Sequence, residues 1–180
     1  GVLPDRERIG LNNEMLRSLS LMTIATCHRR QVHAMGAPTF VLPPNERQGP
    51  SAAYLEMIAD KEREALDGHD GTLVAHPGVV TAAMAEFNKS MPRAHQMYME
   101  SKAPVDVNDL VRSPTGALST DGLLGAVRTI LRALVQRAQG VAVVQQGGRL
   151  HDRSSVRLST VLLWSWVQSP QGIVTDTGLE

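Results

Sequence analysis

Apolar residues recur along most of this chain at helical spacing. Met15, Leu16, Leu19, Met22 and Thr23 follow the i, i+3, i+4, i+7 pattern, which predicts a helix capped by Asn12 or Asn13 and running to about Arg30. Its end carries His28, Arg29 and Arg30, cations suited to the negative end of a helix dipole. A second helix is expected from about Ala52 to Leu66 with Ser51 as its cap, a core face of Tyr54, Leu55, Ile58 and Leu66, and a mixed-sign solvated face over Asp60, Lys61, Glu62, Arg63 and Glu64. A third, from about Gly78 to Ser90, places Val80, Ala83, Met84 and Phe87 on one side. A fourth, capped by Ser119 or Thr120 and stopped by Gly140, turns Leu123, Val127, Ile130, Leu131, Leu134 and Ala138 toward a core. The last is expected to start at a Ser159 cap, carry Leu162, Leu163, Trp166 and Val167, and end at Pro170.

Between the helices lie short apolar runs. Val32–Met35, bounded by Gly36 and Pro38, and Thr72–Ala75, between the turn Asp67-Gly68-His69-Asp70-Gly71 and the break Pro77-Gly78, read as buried parallel strands. Helix, turn, strand, helix is the order of a parallel α/β protein, and ligands in such folds sit beyond the C-terminal ends of strands, which puts His76 and Pro77 at a favoured position. Arg93–Leu118 holds Pro104, Ser113, Pro114 and Gly116 with weak periodicity and reads as a linker. Val141–Val144 is short and apolar, and Gln145–Arg149 is expected to be flexible.

Composition narrows the classes. In 180 residues, 18 Lys and Arg balance 18 Asp and Glu, so no net field favours nucleic acid or an anionic membrane. No apolar run approaches the ~18 residues of a membrane span. A single cysteine, Cys27, excludes an internal disulfide and is expected as a small buried apolar residue. The ends at Gly1 and Glu180 are expected to be cut rather than natural, and localisation is left open between cytoplasmic and peroxisomal or glyoxysomal.

For chemistry, the chain offers no zinc spacing, no Gly-rich phosphate loop and no nucleophile elbow. Asp67 and Asp70 lack the further oxygen ligands of a calcium loop. Asp152 is the acid that sits on no obvious solvated face, between a loop and a helix, a place from which a carboxylate is aimed into a neighbouring site.

Several motifs resemble malate synthase, the short A-type form in particular: Leu3-Pro4-Asp5-Arg6, Thr26-Cys27-His28-Arg29-Arg30, His33-Ala34-Met35-Gly36, the stretch Asp60–Gly78, and Leu163-Trp164-Ser165-Trp166-Val167. The resemblance implies an α/β fold: the last strand-helix units of a (β/α)₈ TIM barrel in residues 1–92, a linker over 93–118, and the start of an α-helical C-terminal cap domain in 119–180. It further implies a Claisen condensation of acetyl-CoA with glyoxylate in the glyoxylate cycle, with Mg²⁺ as cofactor and hydrolysis to malate and CoA. The family's catalytic aspartate precedes two tryptophans by 12 and 14 residues, as Asp152 precedes Trp164 and Trp166. That register implies Asp152 as general acid/base, with Pro77 beside the bound coenzyme and Leu150 in place of a methionine that lines the thioester. The metal carboxylates and the glyoxylate-holding arginine are expected upstream of Gly1, in the remainder of the barrel.

The chain also departs from the pattern. His151 replaces a glutamate, Arg153-Ser154-Ser155-Val156-Arg157 replaces an Ala-Ala-Thr-Ala-Glu-like run, and Gly36-Ala37-Pro38 replaces Gly-Gly-Met. Basic residues in place of acids alter the field around Asp152. Two alternatives stay open beside the enzyme: a catalytically degenerate relative used for association, and a related CoA-ester lyase of the same barrel superfamily.

Overall fold

The computed structural model describes residues 2–45, 47–99, 105–172 and 174–175, so the expected breaker Pro104 lies outside the described residues. Five helices dominate: α1 (Glu14–Arg29), α2 (Ala52–Asp67), α3 (Val80–Ser90), α4 (Thr120–Ala138) and α5 (Arg153–Gln168). One hairpin, β1 (Val144–Gln146) and β2 (Arg149–His151), forms the named sheet. The chain divides into two compact units: unit 1 holds Gly1–Asn13, Arg112–Gln146 and Leu150–Glu180, and unit 2 holds Glu14–Val111 and Gly147–Arg149.

In unit 2, the helix limits follow local chemistry. The Ser51 hydroxyl accepts the Tyr54 N–H and caps α2, and Gly68 closes it with its N–H on the Glu64 carbonyl. Pro77 opens a 3-10 turn that leads into α3, because a residue without an N–H costs nothing where that N–H would be unpaired. The two expected strands run beside each other in parallel, through bridges Met35–Gly71 and Thr39–Val74. Their ladder includes Gly36 N–H to Gly71 O (2.8 Å), Thr39 N–H to Leu73 O (2.9 Å) and Ala75 N–H to Thr39 O (2.8 Å). The pairing is broken into isolated bridges, and the first extended run continues past Met35 to Val41, farther than the apolar residues alone suggest.

One side of this pair is covered. Val41, Ala53, Met57 and Val79 form a buried cluster, with Tyr54, Ile58, Val74 and Ala82 packed on it. Val32, Met35, Phe40 and Leu73 remain exposed. The expected core faces of the helices shift accordingly: α3 buries Ala83 and Phe87 but leaves Met84 open, and α2 leaves Leu55 and Leu66 open.

The charged run of α2 is not a solvated face. Lys61 and Glu64 are buried at 0 % and 3 % exposure and pair at 3.0 Å. The Lys61 ammonium also donates to Ala37 O (2.9 Å) and Thr72 Oγ1 (2.8 Å), while Glu64 accepts the Ala37 N–H (3.0 Å). Gly36 is required there, since a Cβ at that position would lie 2.3 Å from Glu64 Oε2.

In unit 1, α4 packs along α5 through small residues. Gly122, Ala126 and Thr129 are buried on α4, and Ser159, Leu162 and Trp166 on α5, whereas Leu131 and Leu134 stay open. Small side chains let the two helix backbones approach closely, so the bulk of the core comes from Leu118, Leu162 and Trp166, with Leu3, Ile9 and Leu158 around them. The Trp166 indole N–H donates to Leu3 O at 2.7 Å, and Asp5 accepts from the Ser119 N–H and hydroxyl, tying residues 2–13 to the cap of α4.

Candidate active site

The last helix starts earlier than the Ser159 expectation. Asp152 is its N-cap, with Oδ1 accepting the Ser155 N–H at 3.0 Å. Ser159 lies buried in the middle of α5, its hydroxyl returned to the Ser155 carbonyl. An aspartate three residues ahead of a free N–H is as good a cap as serine, and only the hairpin before it decides which of the two is used. That hairpin turns on Gly147 and Gly148, both at positive φ (59° and 73°), the conformation that a two-residue primed turn needs. Gln145–Arg149 is therefore an ordered hairpin rather than a flexible loop.

The hairpin delivers Leu150, His151 and Asp152 in succession. Leu150 and His151 are half-buried in β2, and the His151 ring nitrogen Nε2 lies 3.3 Å from the Gln146 carbonyl oxygen. Asp152 lines a cleft of about 320 Å³ formed by the C-terminal part of α4, the run into β1 and the first turn of α5. The walls are apolar: Ala133, Leu134, Val141, Ala142, Val144 and Val156. The charged lining consists of Arg137, Asp152 and Arg153.

The Asp152 carboxyl is held below the usual carboxylate range, first by the Ser155 N–H, against the opposing effect of burial, with the Ser155 hydroxyl and the Ser154 N–H adding to it. The cause is the free N–H groups of the helix start, not the altered neighbours His151 and Arg157. At neutral pH the group is therefore a carboxylate. It serves two purposes at once, as a cap and as the one anion in the cleft.

Of the other residues singled out in the sequence, Leu150 shares unit 1 with Asp152, whereas Pro77 belongs to unit 2, exposed at the start of its 3-10 turn behind the His76 cap. Trp166 is core and Trp164 is 66 % exposed. Cys27 is only partly buried.

Unit 2 contains a second polar centre that sequence reading missed. Asp70 accepts the Ala34 N–H (2.7 Å), a short contact from the Gln96 N–H (2.5 Å) and a contact from His28 Nε2 (3.0 Å). Burial pushes its carboxyl up, but the Ala34 and Gln96 N–H groups and the His28 ring outweigh it and hold the group low. Gln96 lies inside the expected linker yet is buried at 1 % exposure, its amide donating to Ala65 O and His69 O. His69 packs beside it, 2.7 Å from the Ser20 hydroxyl, and burial lowers its pKa. His28, in the last turn of α1, is thus a buried partner of Asp70; a histidine, an Asp-Gly turn and a distant glutamine give no periodic signal that would join them.

Magnesium finds no fit among these residues. Asp67 is paired with Arg17 at 2.8 Å, Asp70 already accepts two backbone N–H groups beside His28, and the described residues contain no group of three or more His, Cys, Asp or Glu able to hold a metal ion. No helix among the described residues is long and apolar enough to cross a membrane.

Comparison with known proteins agrees with the motifs. The family profile described as malate synthase, TIM barrel domain, matches residues 1–113. Glyoxysomal malate synthase of Ricinus communis is 34 % identical over 171 residues, covering 92 % of this chain and 30 % of that protein. Malate synthase of Streptomyces clavuligerus is 33 % identical over 184 residues, covering 98 % of this chain and 33 % of its own length. Malate synthase A of Escherichia coli strain K12 is 30 % identical over 169 residues, covering 92 % of this chain and 32 % of that protein. The chain spans about a third of the length of these three relatives.

Proposed function

Given that the chain belongs to the malate synthase family, we propose that it is part of an enzyme that condenses acetyl-CoA with glyoxylate and hydrolyses the product to malate and CoA. On this reading residues 1–92 contribute the last strand-helix units of a TIM barrel, 93–118 a linker, and 119–180 the beginning of a helical cap domain. The parallel pair of unit 2 supports the barrel part and the packing of α4 on α5 the helical part, while residues 2–13 pack with the helical part and Gln96 of the linker is buried in unit 2.

The observation that carries the reading is Asp152, an ionised carboxylate lining an apolar cleft at the register of the family's catalytic acid. The acetyl methyl of a thioester is a very weak carbon acid, so a positioned base must remove its proton as the enolate forms. Asp152 takes that proton; the methyl carbon then bonds to the aldehyde carbon of glyoxylate as its C=O pair moves to oxygen, and that oxygen receives the proton back from Asp152 as the hydroxyl of malate. Water adds to the thioester carbonyl and the CoA thiol leaves. Leu150, one residue before His151 on the same strand, offers apolar contact to the thioester arm; Pro77, in unit 2, is assigned to the coenzyme by the family resemblance alone. Since no acid set here fits magnesium, no step is assigned to a metal through these residues.

The test is Asp152→Asn in the full-length protein. Asparagine keeps the cap oxygen and the size but cannot take a proton, so kcat should fall by about 10²–10⁴ while KM for acetyl-CoA changes little. Because the Asp152 pKa is lowered, its acid limb in the kcat profile should lie below about pH 4, and activity should not respond to its titration near neutrality. Wild-type kcat in Asp152→Asn would remove the residue from the mechanism. The Asp152 cap bond favours a second reading, a degenerate relative in which the carboxylate only starts α5; an unmutated protein without acetyl-CoA and glyoxylate dependent thiol release would select it.

A further inference from the structure

Two cations in the Asp152 cleft are left over by everything described so far. Arg137, in the last turn of α4, and Arg153, the first residue of α5, both line it. Among the described residues neither side chain has an ion-pair or hydrogen-bond partner, and Asp152 is held low by N–H groups rather than by either guanidinium. Two guanidiniums against one carboxylate leave the lining with one net positive charge.

The rest of the cleft is greasy and open. Leu134 is 60 % exposed and Val141 45 %, so both present apolar surface to the cleft. At about 320 Å³ the space stands at the small end of ligand sites, which run from about 300 to 1,000 Å³. Guanidinium groups match carboxylate oxygens in geometry and desolvate more easily than ammonium groups.

We propose that this cleft is a binding site for a short aliphatic carboxylate. Its alkyl chain lies on Leu134, Val141, Val144 and Val156, and its head group is held by Arg137 and Arg153. The site goes beyond the proton-transfer reading and does not require it, since binding here needs the two arginines and the apolar wall, not a titrating Asp152.

Calorimetric titration of the full-length protein with hexanoate tests it. One saturable site is expected, weakened at least tenfold by Arg153→Gln and by Arg137→Gln. Both side chains are exposed, so these variants should keep the wild-type circular dichroism spectrum. Asp152→Asn removes the only opposing charge and should leave hexanoate binding intact or tighter even as it removes turnover, so the two proposals fail separately. Binding of hexylammonium as tight as hexanoate would overturn the role of the arginines. Inorganic phosphate binding as tightly as hexanoate would overturn the role of the apolar wall, and unchanged affinity in both glutamine variants would overturn the site itself.

Discussion

Asp70 in unit 2 and Asp152 in unit 1 are both carboxylates held below their ordinary pKa range, by different means. Asp70 is almost wholly enclosed and receives two backbone N–H groups and a histidine from three separate stretches of chain. Asp152 is half-buried and receives its N–H groups from the helix it begins. The first group already accepts three donors and lies enclosed. The second has a local anchor and a cleft beside it. A depressed carboxyl pKa therefore does not by itself distinguish a structural acid from a reactive one; the source of the donors and the space left over do.

The sharpest way to break this contrast is Asp70→Ala. It strands the Ala34 and Gln96 N–H groups and the His28 ring in a buried place, and should cost unit 2 about 3–5 kcal/mol in denaturant unfolding. A loss below about 1 kcal/mol would mean that the network is a surface feature and the comparison fails.

Acid titration should separate the two regions next. His69 has a lowered pKa, so the unfolded chain gains a proton before the folded one does, and stability begins to fall as pH drops below about 6.5. Asp70 adds a second loss once pH falls below about 3.9, continuing toward its lower folded pKa. Amide protection factors in unit 2 should fall through both windows, whereas those of α4 and α5 should respond only in the lower one, through Asp152. Protection in 14–99 that stays flat from pH 7 to about 4 would contradict the His69 assignment.

The smallest effect is expected of Asp152→Ala on stability. It removes one cap from an α5 already fixed by Leu162 and Trp166, a loss of about 0.5–2 kcal/mol. A loss as large as that of Asp70→Ala would make Asp152 a structural acid as well.

Elements were legible in the sequence where local chemistry decides them. Ser51 and Ser119 cap the helices they were expected to cap, and Pro77 and Gly68 mark turns where expected. The failures share a cause, which is partners far away in the chain. Lys61 and Glu64 look like a solvated pair until Ala37 and Thr72 are brought beside them. On α4 the long apolar residues Leu131 and Leu134 drew the expected core face, but the close approach of α5 buries Gly122, Ala126 and Thr129 instead. Asp152 was singled out for its odd position between loop and helix, and that position is the cap itself. Arg137 and Arg153 carried no signal, since one reads as a helix-end cation and the other as a surface residue in a drifted run.

The hydrogen bond from Trp166 to Leu3 spans 163 positions of sequence, and it sets an order of events during synthesis. Unit 2 is almost continuous, so it has nearly all of its residues once Val111 has left the ribosome. Val2, Leu3 and Ile9 leave the ribosome well before the helix that covers them. At about 5–20 residues per second, that wait is on the order of 10 s. For that interval Val2, Leu3 and Ile9 lack the cover that α5 gives them, which makes them a natural holding point for a chaperone and makes unit 1 complete later than unit 2.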